Sequence, residues 1–261
     1  NYYNIPSLMN ITGIGTSLTS KLKYFVKPLY SSACKRANKV FFQNEANRNL
    51  FLSNNMVSSD KTILIPGSGV NIDKFKPLKR EKDDKKIKFL FIGRIMKEKG
   101  IEEYLAAAKT LKSNYSNLEF QILGSFEEKK YKDIIDNTSN VEFLGYSKDV
   151  RREIKEVDCV INPSYHEGMS NVLLESAAMG KPLIASNIPG CNEIIDDGVN
   201  GFLFNVKSSH SLKNKIVKFI NLSEEKKEAM GQNSRLKVEK EFDRNIVIKA
   251  YLKEIKKFVK K

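Results

Sequence analysis

From residue 86 onward, short apolar runs alternate with stretches of helical period. KIKFLFIG (86–93) reads as a buried strand, and in the IEEYLAAAKTLK that follows, Ile101, Leu105, Ala108 and Leu111 fall at helical spacing. LEFQILG (118–124) repeats the strand signal ahead of the polar helical stretch EEKKYKDIIDN. VEFLG (141–145) precedes SKDVRREIKEVD, where Val150, Ile154 and Val157 share a face. CVINPS (159–164), PLIAS (182–186) and GFLFNV (201–206) complete the series, with a helix predicted to start near Ser170. Six short strands alternating with helices predict an α/β fold built on a right-handed, doubly wound, mostly parallel sheet.

The first 66 residues follow a different rhythm. NITGIGTSLTS is turn-rich, while VFFQN (40–44) and KTILIPG (61–67) read as two further strands. SGVNIDKFKPLKREKDDKK is rich in Gly, Pro and charge and ends at the first clear strand, so a boundary is expected there. The predicted organisation is the tail end of one domain (1–66), a linker (67–85), a complete α/β domain (86–240) and a C-terminal helix (241–261) packing back toward the first part. Ile246, Ala250, Ile255 and Phe258 are expected on one side of that helix.

Composition narrows the function. The chain has 261 residues, 41% hydrophobic and 29% charged, which is a globular balance. Cys34, Cys159 and Cys191 are scattered, without CxxC spacing or neighbouring His, which disfavours a disulfide framework or a zinc site. No apolar run approaches the roughly 20 residues of a bilayer span and no signal peptide is visible, so a cytoplasmic location is expected. The chain starts at Asn1 without Met, and an upstream segment is expected.

The net charge of +14 suits nucleic acid, an anionic membrane surface or a phosphorylated substrate, besides a plain Lys/Asn-rich bias. No zinc finger or RNP-like signature supports nucleic acid as a partner. The basic segment 17–39 carries Leu18, Leu22, Phe25, Val26 and Leu29 at helical spacing among Lys21, Lys23, Lys27, Lys35, Arg36 and Lys39, interrupted by Pro28. A core-facing helix with a solvated basic face is the favoured reading, and a peripheral contact with an anionic leaflet is the second.

In an open parallel sheet, ligands bind beyond the carboxyl ends of the strands. There the sequence gathers Gly93, Arg94, Lys99 and Gly100 in GRIMKEKG, then Gly124-Ser125, Gly145-Tyr146, SYHEGMSN and NIPGCNE. Glycines with two cations suit an anion approached by backbone amides. GRIMKEKG is neither a Walker A loop nor a GxGxxG fingerprint, so NAD has little support. Glu167 and Glu175 stand eight positions apart. Eight helical residues rise about 12 Å, more than the roughly 5–9.5 Å between paired glycosidase carboxylates. Two contacts to one elongated ligand fit that spacing; a capped helix with Glu175 on a solvent face fits it as well.

GRIMKEKG, HEGMSNVLLES with its E-x7-E spacing, GKPLIASNIPGCNEII and DGVNGFLF together resemble the donor-binding domain of GT-B glycosyltransferases, more narrowly the retaining group 1 (family 4) enzymes. ILIPGSGVNIDKFKP resembles that family's interdomain linker. ITGIGTSLTSKLKYFVKPLY resembles the end of the N-terminal domain in bacterial members that build capsule, O-antigen or lipid-linked glycans.

The resemblance implies a GT-B fold and transfer of a sugar, with retention, from a nucleotide-sugar donor, most simply a UDP-sugar, to a glycan or polyprenyl-linked acceptor. It implies that Arg94 and Lys99 bind the donor diphosphate beside Gly93, and that Glu175 binds the ribose. Glu167 would face the donor sugar, with His166 beside it. The amides of Gly168, Met169 and Ser170, followed by Asn171, would hold sugar or phosphate oxygens, and the backbone around Gly145 and Tyr146 would lie near the base. With no Asp-x-Asp motif, neither a metal nor another cofactor is expected. A GT-B-like UDP-sugar epimerase and a nucleotide-binding fragment without activity are the alternatives. The family's N-terminal Gly-rich loop and catalytic-region His are not found in the chain.

Overall fold

The computed structural model describes residues 5–13, 23–80 and 86–259. They form two parallel sheets. The first has three strands, β1 (Leu8–Ile11), β2 (Lys39–Phe42) and β3 (Thr62–Leu64), in that spatial order. Helix α1 (Lys23–Arg36) joins β1 to β2, and α2 (Glu45–Ser53) follows β2. Strand β2 lies in the middle, and its Val40, Phe41 and Phe42 are all buried, which is why this run is apolar without alternation. Asn44 starts α2: its side-chain oxygen accepts a hydrogen bond from the Asn47 amide.

The second sheet contains β4 (Ile87–Ile92), β5 (Leu118–Leu123), β6 (Glu142–Phe143), β7 (Cys159–Asn162), β8 (Leu183–Ser186) and β9 (Gly201–Phe204). Their spatial order is β6-β5-β4-β7-β8-β9, all parallel. Helices α3 (Ile101–Lys112), α4 (Lys130–Asp136), α5 (Arg151–Lys155), α6 (Asn171–Ala178) and α7 (Ser209–Ile220) alternate with the strands. The six predicted strands are all present. The chain winds outward from β4 in one direction and returns to β7 on its other side, so strand order reverses between β4 and β7. Odd and even positions of β4 sort onto opposite faces: Phe89 and Phe91 join one apolar cluster, and Leu90 joins the other with Leu174 and Ala177 of α6.

Two C-terminal helices, α8 (Glu224–Glu241) and α9 (Arg244–Val259), connect the sheets. At their junction the linker is stitched in: the Val70 amide donates to Phe242 O, and the Arg244 amide donates to Val70 O, each at 2.9 Å. From there α9 reaches the first sheet, where Val247 packs against Phe41 and Ile65, and the ring of Tyr251 lies 4.4 Å from that of Phe41.

Two expected helix faces are corrected by this packing. The inward side of α9 is Val247, Ala250, Tyr251 and Glu254, whereas Ile246 and Ile255 are exposed. Apolar residues lie on more than one side of this helix, and the position of Phe41 selects the side that is buried. In α1, Phe25 and Leu29 are 76% and 71% exposed, while Tyr30 and Cys34 turn inward. The expected core-facing stripe therefore points out. The helix also runs through Pro28 rather than stopping there. Leu18, Lys21 and Leu22 lie outside the described residues.

Candidate active site

A cavity of about 200 Å³ opens at the carboxyl edge of the six-stranded sheet, where strand order reverses. Ile92 and Gly93 at the end of β4 form one wall, and Asn162 and Ser164 after β7 form another. Lys99, Glu167, Met169, Ser170 and Asn171 complete it. This site gathers residues that lie far apart in sequence because parallel strands end side by side.

Local chemistry builds each wall. Ser170 caps α6, its oxygen accepting from the Leu173 amide, and Asn162 holds that same oxygen with its Nδ2 at 2.5 Å. A buried Asn thus sets the start of the helix. On the other side, residues 97–99 form one 3-10 turn ending at Gly100, whose φ is +74°. A Cβ on Gly100 would sit 2.1 Å from Pro163 O, so this left-handed turn needs both glycine's freedom and its size. The Tyr165 amide donates to Glu98 O at 2.9 Å, tying the two loops together.

That docking brings Lys99 onto Glu167. The ammonium donates to Glu167 Oε1 at 2.7 Å, with the two side chains only 23% and 15% exposed. Partial removal from water makes the pair stronger than a surface ion pair. It also makes it exchangeable: an anion entering the cavity would compete with Glu167 for Lys99. The Ser170 amide is committed to Gly190 O at 2.9 Å. Among the described residues the amides of Gly168 and Met169 make no hydrogen bond, and Met169 lies in the cavity wall with the pair.

The other sequence-predicted residues stand outside the cavity wall. Arg94 projects outward, 58% exposed, with Glu127 at 4.0 Å. His166 is exposed, and so is Tyr146, which follows Gly145, a residue with φ of +80°. Gly168 stands behind the cavity, against the first sheet. Glu175 is half-buried one turn into α6; burial raises its carboxyl pKa above the ordinary value, only partly offset by Lys74 and Arg244, while Asp149 pushes it further up. The 12 Å spacing inferred from a continuous helix does not apply, because α6 begins at Asn171 and residues 167–170 are not helical.

Three participants escaped the sequence reading. Asn162 and Ser164 sit in the CVINPS run, where they look like the end of a strand. Ser164 is 1% exposed, lines the cavity, and its hydroxyl has no hydrogen-bond partner among the described residues. Asn44 is the third: its Nδ2 donates to Gly168 O across 124 positions of sequence. The hydroxyl could have been suspected from its place at a strand end, whereas nothing local marks Asn44.

The family of glycosyl transferases group 1 matches the chain over residues 73–237, which includes every wall of this cavity. The chain belongs to that family. Its relatives include the N,N'-diacetylbacillosaminyl-diphospho-undecaprenol alpha-1,3-N-acetylgalactosaminyltransferase of Campylobacter jejuni, 27% identical over 252 residues, with 92% of this chain and 65% of that protein covered. The capsular polysaccharide biosynthesis glycosyltransferase CapM of Staphylococcus aureus is also 27% identical, over 256 residues, with 92% and 67% covered. The chain thus spans about two thirds of the length of these curated relatives. Among solved structures, Anabaena HepE in complex with UDP and glucose superposes with a TM-score of 0.78 at 19% identity, covering 96% of this chain and 71% of that one. TarM of Staphylococcus aureus superposes at 0.82 and 19% identity, covering 97% and 51%. The fold is of the GT-B type.

Proposed function

We propose that this group 1 glycosyltransferase chain holds a UDP-sugar in the cavity around Lys99 and Glu167. The sugar passes with retention to a glycan or polyprenyl-linked acceptor in bacterial surface polysaccharide or lipid-linked oligosaccharide synthesis. The observation that carries this reading is the Lys99–Glu167 pair, at the strand-order reversal, beside the free amides that precede α6. The relatives' names support the lipid-linked or capsular acceptor, and HepE and TarM, whose structures contain UDP, support the nucleotide.

In the proposed reaction the bond between the anomeric carbon and the diphosphate oxygen breaks, and its electron pair stays on that oxygen. An acceptor hydroxyl oxygen bonds to the anomeric carbon on the same face, and the hydroxyl proton passes to the departing phosphate oxygen. Lys99 leaves Glu167 to meet the growing negative charge, and the Met169 amide faces the sugar. Glu167 then faces the sugar, whose anomeric carbon becomes electron-poor. Arg94, on the same loop, swings to the diphosphate from its exposed position. Glu175 takes the ribose hydroxyls, Gly145 and Tyr146 flank the base, and His166 and Asn171 border the sugar. Lys99 and Arg94 supply the charge stabilisation, so the reading requires no metal: turnover is expected to be unchanged by EDTA, and a strict metal requirement would overturn that part. Calorimetric titration with UDP, GDP and a panel of their sugars tests the whole reading. Binding of a UDP-sugar, weakened at least tenfold by Glu167→Gln or Lys99→Ala, is the expected result; no binding by the parent chain removes it.

The outward face of α1 favours an added membrane contact. Phe25 and Leu29 are exposed beside Lys27, Lys35 and Arg36, a pairing of apolar and cationic groups suited to an anionic leaflet. Among the described residues no helix is long and apolar enough to cross a membrane. Peripheral attachment at the inner face of the cytoplasmic membrane predicts co-sedimentation with phosphatidylglycerol vesicles, lost in Phe25→Ser/Leu29→Ser. Equal sedimentation of parent and variant refutes it.

A further inference from the structure

The segment 168–171, which borders the Lys99–Glu167 pair, is held on one side by residues from outside its own sheet. Gly168 backs onto the turn after β1 so closely that a Cβ there would lie 1.5 Å from Thr12 O and 3.3 Å from Gly13 Cα. Asn44 Nδ2 donates to Gly168 O at 2.5 Å. In the linker, Gly67 has a φ of +61°, and a Cβ on it would meet Met169 Cγ at 2.4 Å. Ser68 Oγ donates to Asn171 Oδ1 at 2.9 Å. Four contacts from the first sheet and the linker thus fall on Gly168, Met169 and Asn171, three of the four residues of this segment.

Asn44 stands apart among these because its side chain is 2% exposed and both ends of its amide are used. Oδ1 must accept the Asn47 N–H to cap α2, which leaves Nδ2 as the donor to Gly168. The amide orientation is therefore determined. One planar group locks the start of α2, in the first sheet's layer, to the backbone next to Glu167.

We propose that Asn44 is a positioning residue: it holds the Gly168 carbonyl so that the Glu167 carboxylate and the Met169 amide are placed for the donor sugar only while the first sheet is docked. Placement of the sugar then depends on the relative position of the two sheets, while binding of the nucleotide alone does not. This inference rests on the UDP-sugar reading for its ligand, but not for its geometry.

Asn44→Asp separates the two roles. Asp caps a helix as well as Asn does, yet at neutral pH it sets a carboxylate oxygen against the Gly168 carbonyl, two acceptors with no proton between them. Asn44→Ser also caps α2 and is too short to reach Gly168. In the unliganded chain, hydrogen exchange of the Ser170 amide, which donates to Gly190 O, is expected to speed up about tenfold in both variants, with the amides of α2 unchanged. By calorimetry, both variants keep the parent affinity for UDP, and the UDP-sugar that the parent binds best is weakened about tenfold. Unchanged exchange at the Ser170 amide overturns the positioning role whatever the ligand proves to be. Faster exchange with an equal loss of UDP and UDP-sugar affinity overturns the selective effect on the sugar. A parent that binds no sugar nucleotide while its variants exchange faster removes the functional reading and leaves the latch standing.

Discussion

The two ends of the six-stranded sheet carry similar charged side chains around cavities of similar size, about 200 Å³ each, and they behave differently. At the amino end, before β7 and β8, Arg80 donates to Asp158 Oδ1 at 2.9 Å with both side chains about nine-tenths buried. Asp158 Oδ2 also accepts from the Lys88 amide at 2.8 Å. Lys181 donates to Lys155 O and Val157 O, closing the end of α5, and Lys227 pairs with Glu224. Burial, and then the charge of Arg80, pull the Lys181 amine down to about 8. Among the described residues at the carboxyl end, Lys99 and Glu167 pair only with each other, two amides make no hydrogen bond, and the Ser164 hydroxyl has no partner. A charged cluster whose groups are satisfied by one another and by neighbouring backbone belongs to the architecture. One with spare donors is prepared for a ligand.

The largest effect expected is at the carboxyl end. Lys99→Ala should lower kcat by about 10²–10³, the range for losing one preorganised charge-stabilising donor, with a circular dichroism spectrum like that of the parent. The comparison is broken if the variant turns over at the parent rate. At the amino end, Arg80→Ala leaves Asp158 buried without its partner and should cost about 3 kcal/mol of stability in urea unfolding. At temperatures where this variant is folded, its affinity for UDP should equal the parent's. A change there would mean that the two ends are not independent.

Ser164→Ala sharpens the contrast at smaller scale. Because its hydroxyl makes no bond in the free protein, Tm should hold or rise slightly. Donor affinity should fall by about 1 kcal/mol, one hydrogen bond, as read by calorimetry. A loss of Tm without loss of affinity would assign the hydroxyl to folding instead. The smallest effect is at Glu175. Its folded pKa is raised, so the group favours folding most when protonated, and that contribution is lost as pH rises through the raised value. Glu175→Gln should therefore raise Tm at pH 8, and the gain should vanish as pH falls to the ordinary glutamate value of 4.5. A gain that persists in acid would point to packing rather than charge.

Much of the fold was legible because parallel strands buried on both faces must be apolar throughout: KIKFLFIG and CVINPS show this without reference to any partner. Only two residues of VEFLG pair as a strand, because β6 is an edge with a neighbour on one side. The candidate site was half legible. Gly93, Lys99, Glu167 and Ser170 follow from placing loops at strand ends, and the cavity does gather them. Arg94 belongs to the same loop but turns outward, since its neighbour Ile95 bridges to Phe126 with its side chain buried, and adjacent side chains of extended backbone point opposite ways.

The sequence by itself determined the alternation of strands and helices, the edge of the sheet at which charged and glycine residues collect, and the family to which they belong. Those properties are local, or repeat along the chain with a period that apolar burial dictates. Tertiary structure decided which partners meet. It set Lys99 against Glu167, turned Val247 of α9 rather than Ile246 toward Phe41, and exposed Phe25 and Leu29. It also brought Asn44 to Gly168, because contacts between residues 124 positions apart depend on how two sheets dock and leave no periodic trace in the chain.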